Sequence, residues 1–248
     1  MIKNNIGVII LAAGKGSRMK SDKNKQLLCV NGEEIISHTI KKFAFHENIQ
    51  RIVLVINPEE EEEILTIVNK IQQENACYIK GNLELVIAYG GNERYNSVYN
   101  GMKKLGDIIN LVLIHDGARP LISKETIDRV ILQLEKDQAV VPGVLVKDTC
   151  KLINEEGFVE KTLKRNFLYS VQTPQGFHKK VLEEAYKQGI NKADAITDDS
   201  MMVEKYSNVP VRMVEGDYEN IKITTPEDVD IMIQILTRNQ YLSSCKTF

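Results

Sequence analysis

The chain has 248 residues and a formal net charge of −2 at pH 7, with 43% hydrophobic and 27% charged residues. This length allows a sizeable core in one α/β domain, and the near-neutral charge gives no general attraction to nucleic acid or anionic membranes. No apolar run approaches the roughly 18–20 residues that a membrane-spanning helix needs. The four cysteines are scattered without a CxxC pair, which disfavours zinc and disulfides and favours a reducing, cytoplasmic location.

The first notable stretch, residues 8–28, begins as an apolar run typical of a buried parallel strand. It then breaks into a loop rich in lysine, where an α/β sheet would hold a phosphate group. Small residues there would let backbone N–H groups approach a ligand: Ala12, Ala13, Gly14 and Gly16. No P-loop is present, and Met19 stands where a dinucleotide fingerprint needs its third glycine. Taken alone, the loop fits an ordinary turn with solvated lysines about as well as a phosphate site.

Buried strands then alternate with amphipathic helices. Strands are predicted at residues 51–56, 83–88, 111–115 and 139–146. Helices are predicted at residues 33–45, just after the turn signal Asn31–Gly32, from Pro58, near Glu93 and after the capping residue Ser123. This alternation predicts an α/β fold with a doubly wound, mostly parallel, Rossmann-like sheet, in a single domain spanning residues 1–248.

The pattern changes between about residues 148 and 172. Residues 151–153 and 158–160 flank the turn sequence NEEG, which predicts a β-hairpin. The hairpin has too few apolar residues to be stable alone, so we expect a protruding arm that rests on the domain or on another subunit.

After the arm, the chain returns to helices and short extended segments. Helices are predicted at residues 178–187, 198–205 and 226–236, a strand at 209–215 and an extended piece at 220–224. The residues from about 237 onward are polar and are expected to fray.

Seven stretches carry a resemblance to a known family. The loop L-A-A-G-x-G-x-R-M, followed by K-Q-L, resembles the signature of sugar-phosphate nucleotidylyltransferases. The others are GGNERYNSV (90–98), HDGARP (115–120), VKDT (146–149), TPQGF (173–177), TDDSMMVE (197–204) and EGDYENIKITTPED (215–228). Together they resemble the 2-C-methyl-D-erythritol 4-phosphate cytidylyltransferase family of the non-mevalonate isoprenoid pathway, over residues 8–236. The resemblance implies that CTP and this polyol phosphate are joined to 4-diphosphocytidyl-2-C-methyl-D-erythritol, with release of pyrophosphate.

The resemblance also implies catalytic roles. Arg18 and Lys25 would contact the triphosphate, and Lys222 would act beside the α-phosphate and orient the attacking phosphate. A cation is needed there because two anions must meet before they react. Asp116, at the end of a strand, is the expected Mg²⁺ ligand, although it could instead cap a turn or bond the ribose. No nucleophile set is evident, and His115 is interpreted as a packed strand residue rather than a base.

The expected nucleotide contacts lie in three loops. Gly90 and Gly91 would approach the cytosine, and Ser97 would meet its edge or the ribose. Asn92 stands where an acidic residue is common in the family. The full nucleotide-binding set comprises Ala12, Ala13, Gly14, Gly16, Arg18, Lys25, Gly90, Gly91, Asn92, Ser97, Asp116 and Ala118.

The acceptor side would use hydroxyls and cations, which suit a polyol phosphate. Its expected residues are Thr149, Arg165, Thr173, Thr197, Lys222, Asp116 and Arg119. In the family the arms of two subunits cross, so Thr149 and Arg165 would serve the other subunit of a two-fold homodimer. Simple turn chemistry is the alternative for Thr173, and helix capping is the alternative for Asp198 and Asp199.

Two other functions remain open at this point. A ribitol 5-phosphate cytidylyltransferase would share the first loop, the HDGARP-like stretch and the arm. A non-catalytic, CTP-binding relative is disfavoured because Arg18, Lys25, Asp116 and Lys222 are all present.

Overall fold

The computed structural model describes residues 5–14, 24–74, 83–192 and 195–245. In chain order the strands are β1 (Ile6–Leu11), β2 (Cys29–Val30), β3 (Glu33–Glu34), β4 (Ile49–Ile56), β5 (Glu84–Tyr89), β6 (Leu111–Asp116), β7 (Ala139–Leu145), β8 (Lys151–Ile153), β9 (Val159–Thr162), β10 (Tyr169–Val171), β11 (Gln175–His178) and β12 (Arg212–Glu215). The helices are α1 (Ile35–Ala44), α2 (Glu61–Glu74), α3 (Arg94–Met102), α4 (Lys124–Gln133), α5 (Lys179–Gly189), α6 (Asp199–Tyr206) and α7 (Pro226–Cys245).

The main sheet orders its strands β10–β7–β11–β6–β1–β4–β5, and β12 also pairs with β7. β1 runs parallel to β4 and β6, and β4 runs parallel to β5. β10 and β11 are antiparallel to the strands they join. The predicted class, a doubly wound and mostly parallel Rossmann-like sheet, is confirmed.

Both faces of the sheet are covered by helices, which explains why its central strands are apolar throughout. In β1, Val8 and Ile10 pack into one core with residues of α1, α2 and α4. Ile9 points to the other face and packs with residues of α3, α5 and α6. Because successive side chains of a strand alternate between faces, one short strand contributes to both cores and is held rigidly between them.

The order of the strands creates a crevice. From β1 the chain moves to β4 and β5 on one side, then returns to β6 on the other. Ligands of open α/β sheets bind at the carboxyl ends of the strands, where the strand order reverses in this way. Leu11 and Asp116, the last residues of these two strands, are register partners at this edge.

Local signals are confirmed at several turns. Asn31 and Gly32 both have positive φ, at 52° and 84°, in the two-residue turn between β2 and β3. Ser123 caps α4 by accepting a hydrogen bond from the Thr126 N–H. Pro58 begins a short 3₁₀ turn that leads into α2.

Three local expectations are wrong or incomplete. β11 was missed, because its sequence QGFH contains one apolar residue and no alternating pattern. Helix α7 continues to Cys245 instead of fraying from residue 237. The strand predicted at 209–215 is confined to Arg212–Glu215. In the extended piece predicted at 220–224, the Ile223 N–H donates to the Ala118 carbonyl at 2.8 Å, which brings this segment to the crevice.

The predicted hairpin is present, formed by β8 and β9, which pair with each other in an antiparallel register. All residues of both strands are exposed. Among the described residues, no helix is long and apolar enough to cross a membrane.

Candidate active site

A cavity of about 430 Å³ opens at the carboxyl ends of β1 and β6. Its walls come from the loops after β1, β5 and β6, from a 3₁₀ turn at Lys25–Leu27 and from the segment before α7. The lining residues are Leu11, Ala13, Gly14, Lys25, Gln26, Gly91, Asn92, Glu93, Arg94, Ser97, Asp116, Ala118, Lys222 and Thr224. The cavity thus gathers most of the predicted nucleotide-binding residues and two of the three predicted catalytic cations.

Asp116 lines this cavity and is surrounded by cations. Its Oδ2 atom lies 2.9 Å from Lys222 Nζ and 3.4 Å from Arg119 Nε. Its Oδ1 atom faces Arg94 Nε at 4.0 Å. Burial alone would raise the pKa of Asp116, but Lys222, Arg94 and Arg119 outweigh burial and hold the pKa well below its usual range. Asp116 is therefore anionic at neutral pH.

A hydrogen-bonded relay supports Asp116 from behind. The Asp116 N–H donates to Thr173 Oγ1 at 3.1 Å, and this hydroxyl contacts His115 Nδ1 at 3.0 Å. The other ring nitrogen, Nε2, donates to the Arg119 carbonyl at 3.1 Å. Burial lowers the pKa of His115 to about 4, so the ring is neutral and carries one proton.

The proton of His115 must be on Nε2, because a carbonyl oxygen can only accept. Nδ1 therefore accepts from the Thr173 hydroxyl, and both hydrogen-bonding roles of that hydroxyl are used within the protein. His115 is fully buried, as predicted, and its ring meets the edge of Phe43 at a centroid distance of 4.9 Å. The relay holds both ends of the turn that carries Asp116 and Arg119.

The loop after β5 packs directly on the loop after β1. A Cβ atom on Gly90 would lie 2.4 Å from Ala13 Cβ, and one on Gly91 would lie equally close to Asn96 Cβ. The Gly91 N–H donates to Ser97 Oγ at 3.0 Å. Packing within the protein therefore leaves no room for a side chain at either of the two glycines that were predicted to approach a cytosine. The hydrogen bond to Ser97 holds the loop that these glycines form.

Lys25 is positioned by its neighbour Asn24. The Asn24 side chain accepts from the Gln26 N–H at 3.3 Å and donates to Glu60 Oε2 at 3.0 Å. It also lies 3.4 Å from the carbonyl of Ala12, a buried residue at the end of β1. The turn that carries Lys25 is therefore tied to the first strand. Gly16 and Arg18, also predicted for this site, lie outside the described residues.

The predicted acceptor residues are dispersed. Arg119 Nη1 donates to the Asn220 carbonyl at 2.8 Å and so holds the segment that carries Lys222. Thr197 is exposed just before α6, where its hydroxyl lies 3.5 Å from Met201 Sδ. Thr149 and Arg165 are exposed near the hairpin, and Arg165 Nη1 donates to the Lys147 carbonyl at 2.8 Å. Neither of these two lines the cavity described above.

Sequence reasoning missed Arg94. Its Nη2 atom donates to Asp199 Oδ2 at 2.7 Å, and its side chain lines the cavity. Burial would lower the pKa of Arg94, but Asp199 and Asp116 outweigh burial and raise it. The residue stands in the quoted stretch GGNERYNSV, so a signal was present, but nothing local indicated its distant acidic partner.

Comparison with known proteins agrees with this geometry. The profile of the IspD family, described as 2-C-methyl-D-erythritol 4-phosphate cytidylyltransferase, matches residues 6–238. The protein of that name from Clostridioides difficile (strain 630) is 46% identical over 230 residues, covering 92% of each chain. The one from Alkaliphilus oremlandii (strain OhILAs) is 41% identical, covering 92% of this chain and 94% of its own.

Solved structures show the same fold. The 4-diphosphocytidyl-2C-methyl-D-erythritol synthase from Anaerococcus prevotii superimposes with a TM-score of 0.81 at 34% identity, covering 95% of this chain and 99% of its own. The 2-C-methyl-D-erythritol 4-phosphate cytidylyltransferase from Thermus thermophilus gives a TM-score of 0.72 at 27% identity, covering 93% and 98%.

Proposed function

The chain belongs to the 2-C-methyl-D-erythritol 4-phosphate cytidylyltransferase family, and from this premise we propose how its cavity performs the family's reaction. The enzyme joins CTP and 2-C-methyl-D-erythritol 4-phosphate into 4-diphosphocytidyl-2-C-methyl-D-erythritol, with release of pyrophosphate. The observation that carries the assignment of the site is the cluster of Lys222, Arg119 and Arg94 around the Asp116 carboxylate.

The transfer is a direct displacement. A phosphate oxygen of the acceptor attacks the α-phosphorus of CTP, and the bond from that phosphorus to the oxygen bridging to the β-phosphate breaks. No covalent enzyme intermediate is needed, so catalysis consists of positioning and of stabilising negative charge. Arg18 and Lys25 bind the triphosphate, and Lys222 holds the attacking phosphate against the α-phosphate.

The nucleotide lies along the loops after β1 and β5. The backbone of Ala12, Ala13 and Gly14 faces the phosphates and ribose, together with Asp116 and Ala118, and Gly16 is assigned to the same group from its place in the sequence. Gly90, Gly91, Asn92 and Ser97 face the cytosine. The contact between Gly90 and Ala13 supports this arrangement, because it makes the two loops one wall.

A magnesium ion fits the donors at this site. The described residues contain no cluster of three or more metal-ligating side chains, so one carboxylate, that of Asp116, would hold the ion with phosphate oxygens and water. This is the shell that Mg²⁺ prefers, and the Asp116 Oδ1 atom lies 4.0 Å from Arg94, beyond hydrogen-bond distance. When bound, the ion would neutralise charge on the phosphates. A requirement for Mg²⁺ is therefore part of the proposal.

The acceptor site is completed by a second subunit. Phe158 and Val159 on the arm have 68% and 58% of their surface exposed, and Leu152 and Ile153 have 48% and 57%. A two-fold homodimer would bury these side chains and bring Thr149 and Arg165 to the other subunit's cavity. There they would bind the acceptor phosphate with Thr197, Arg119 and Lys222, while Thr173 acts through Asp116.

The cellular location proposed is the cytoplasm. Cys29 is an exposed free thiol, and Cys150 is also unpaired. Free exposed thiols are typical of reducing compartments.

The reaction is tested by pyrophosphate release from CTP and Mg²⁺, with 2-C-methyl-D-erythritol 4-phosphate and ribitol 5-phosphate compared side by side. Release with the first acceptor alone is expected. Release with ribitol 5-phosphate alone would overturn the acceptor assignment but keep the CTP site. CTP binding without release from either would establish the non-catalytic alternative.

The shared site is tested by mixing two inactive variants, Arg165→Ala and Lys222→Ala. In a mixed dimer, one of the two sites would contain both native residues. Random pairing then restores about one quarter of native activity. Failure to restore activity, with mixed dimers verified by differential tags, would show that Arg165 serves its own chain.

A further inference from the structure

Two of the quoted sequence stretches contribute an ion pair to which the proposed reaction gives no role. Its members are the arginine of GGNERYNSV and the second aspartate of TDDSMMVE. The fold brings them together: Arg94 Nη2 lies 2.7 Å from Asp199 Oδ2 across 105 residues of chain. Asp199 is fully buried, whereas Arg94 reaches the cavity and faces Asp116.

Asp199 is held in one position, because hydrogen bonds engage both its carboxylate and its backbone N–H. Its Oδ1 atom accepts from the hydroxyl of Tyr186 at 2.7 Å, and the Tyr186 ring is completely buried. Its N–H and that of Ser200 both donate to Gln175 Oε1, at 3.1 and 3.0 Å. The Gln175 amide in turn donates to Asp198 Oδ2 at 2.8 Å. The carboxylate therefore cannot turn toward solvent without losing several buried hydrogen bonds.

Asp199 in turn restrains Arg94. A guanidinium has a rigid fork of donors, and Nη2 of Arg94 is committed to Asp199. Its Nε atom faces Asp116, but the Nε–Oδ1 distance of 4.0 Å is too long for a hydrogen bond. Asp199 thus holds Arg94 away from full contact with Asp116. Without Asp199, the guanidinium is free to close on Asp116 and occupy part of the cavity.

The pair also joins two elements of the site. Arg94 begins α3, directly after the loop that contains Gly91 and Asn92. Asp199 begins α6, two residues after Thr197. The ion pair between them therefore connects the loop of Gly91 and Asn92 to the segment that carries Thr197.

We propose that Arg94 is a positioning residue for cytidylyl transfer, and that its ion pair with Asp199 sets the alignment of the two substrates. This inference rests on the proposed function. An alignment role affects the rate of the bound complex more than substrate binding, because misplaced reacting groups slow the step after both ligands are bound. A purely structural ion pair would affect thermal stability alone.

The first test is Asp199→Asn, which keeps the shape of the side chain and removes its charge. We expect kcat to fall about 10- to 100-fold, while the Kd for CTP by calorimetry changes less than about threefold. Arg94→Lys should give a similar loss, because lysine lacks the fork. The double variant should be no worse than either single variant, since both remove the same contact.

The matched control is Asp137→Asn. Asp137 also pairs with an arginine, at 3.2 Å from Arg212 Nε, but this pair lies outside the cavity. Its kcat should match the native value. Equal kcat values for native and Asp199→Asn protein, with a lower melting temperature in the variant alone, would overturn the proposal.

Tyr186→Phe keeps the proposal testable if Asp199→Asn does not fold. It removes one hydrogen bond to Asp199 and keeps the buried ring, and we expect a fall in kcat of about 3- to 10-fold. An unchanged kcat in this variant would contradict the alignment role. Absence of pyrophosphate release by the native protein would instead refute the proposed function, which separates the two failures.

Discussion

The crevice around Asp116 and the hairpin formed by β8 and β9 both carry predicted functional side chains, but the crevice is buried and the hairpin is exposed. Asp116 is 8% exposed, lies at the end of a strand buried on both faces, and is held by Arg119 of its own turn and by groups from three other parts of the chain. Phe158 on the hairpin is 68% exposed, and among the described strands β8 and β9 pair only with each other. Cytidylyl transfer needs charged groups in fixed positions. Of these two regions, only the crevice holds such groups in place by contacts within one chain.

The difference shows which region is stabilised by contacts within its own chain and which region needs a partner. A two-stranded hairpin is marginally stable in water, and the arm offers exposed apolar side chains in place of a core. The arm therefore needs another surface to pack against its apolar side chains. The crevice needs no such cover for its own hydrogen bonds, although the acceptor side of the cavity lacks the contributions predicted for Thr149 and Arg165.

The largest effect on activity is expected from Lys222→Ala, which removes a cation from the crevice and leaves the arm unchanged. Loss of this positive charge should lower kcat by about 10²- to 10³-fold, because it stabilises charge that develops in the transition state. Pyrophosphate release measures the loss, and Lys222→Arg should recover part of it. Full activity of Lys222→Ala would exclude a role for this lysine in the transfer.

The next largest effect on activity is expected when the packing surface of the arm is disrupted. Phe158→Asp places a charge where the second subunit is expected to pack, so the protein should become monomeric in sedimentation and lose at least about tenfold in kcat/KM for the acceptor. CTP affinity should be retained. Ile108→Asp is the control, because Ile108 is similarly exposed, at 66%, but lies away from the arm. A Phe158→Asp dimer with native activity would show that the arm is not the interface.

A smaller effect is expected behind Asp116. Thr173→Val removes the hydroxyl between the Asp116 N–H and His115 Nδ1 and leaves both without their partner. Unfolding in urea should show a loss of about 1–3 kcal/mol, since both groups are buried. Thr173→Ser should retain most of that stability. Equal stability of all three proteins would mean that the relay does not hold the crevice together.

The smallest effect is expected at the edge of the crevice, where Asp228 accepts hydrogen bonds from Thr224 and Thr225 at the start of α7. Asp228→Ala should cost about 1 kcal/mol of stability, as for loss of a helix cap. Burial would raise the pKa of Asp228, but the threonine hydrogen bonds outweigh burial and lower it. The contribution is therefore present above about pH 4 and is lost as the pH falls through the folded-state pKa. A variant that differs equally from the native protein at about pH 7 and about pH 3 would contradict this origin.

Much of the fold could be predicted because its signals are local. Apolar runs marked β1, β4 and β6, the Ser123 cap marked α4, and Asn31–Gly32 marked a tight turn. β11 could not be predicted, because QGFH becomes a strand only by pairing with β6 and β7 on both sides. The full length of α7 was missed because residues 237–241 are all exposed, so their sequence has no apolar face to mark a helix.

The sequence by itself indicated the family through the resemblance of seven short motifs. It also determined the class of fold and which loops carry charge, since these depend on periodicity and on residues close together in the chain. Only the tertiary structure decided what those residues do to one another. The Asp116 backbone meets Thr173 across 57 residues, because β11 is inserted beside β6. Arg94 meets Asp199 across 105 residues, because α3 and α6 pack on the same face of the sheet. Strand order sets these contacts, and no local pattern encodes which strands become neighbours.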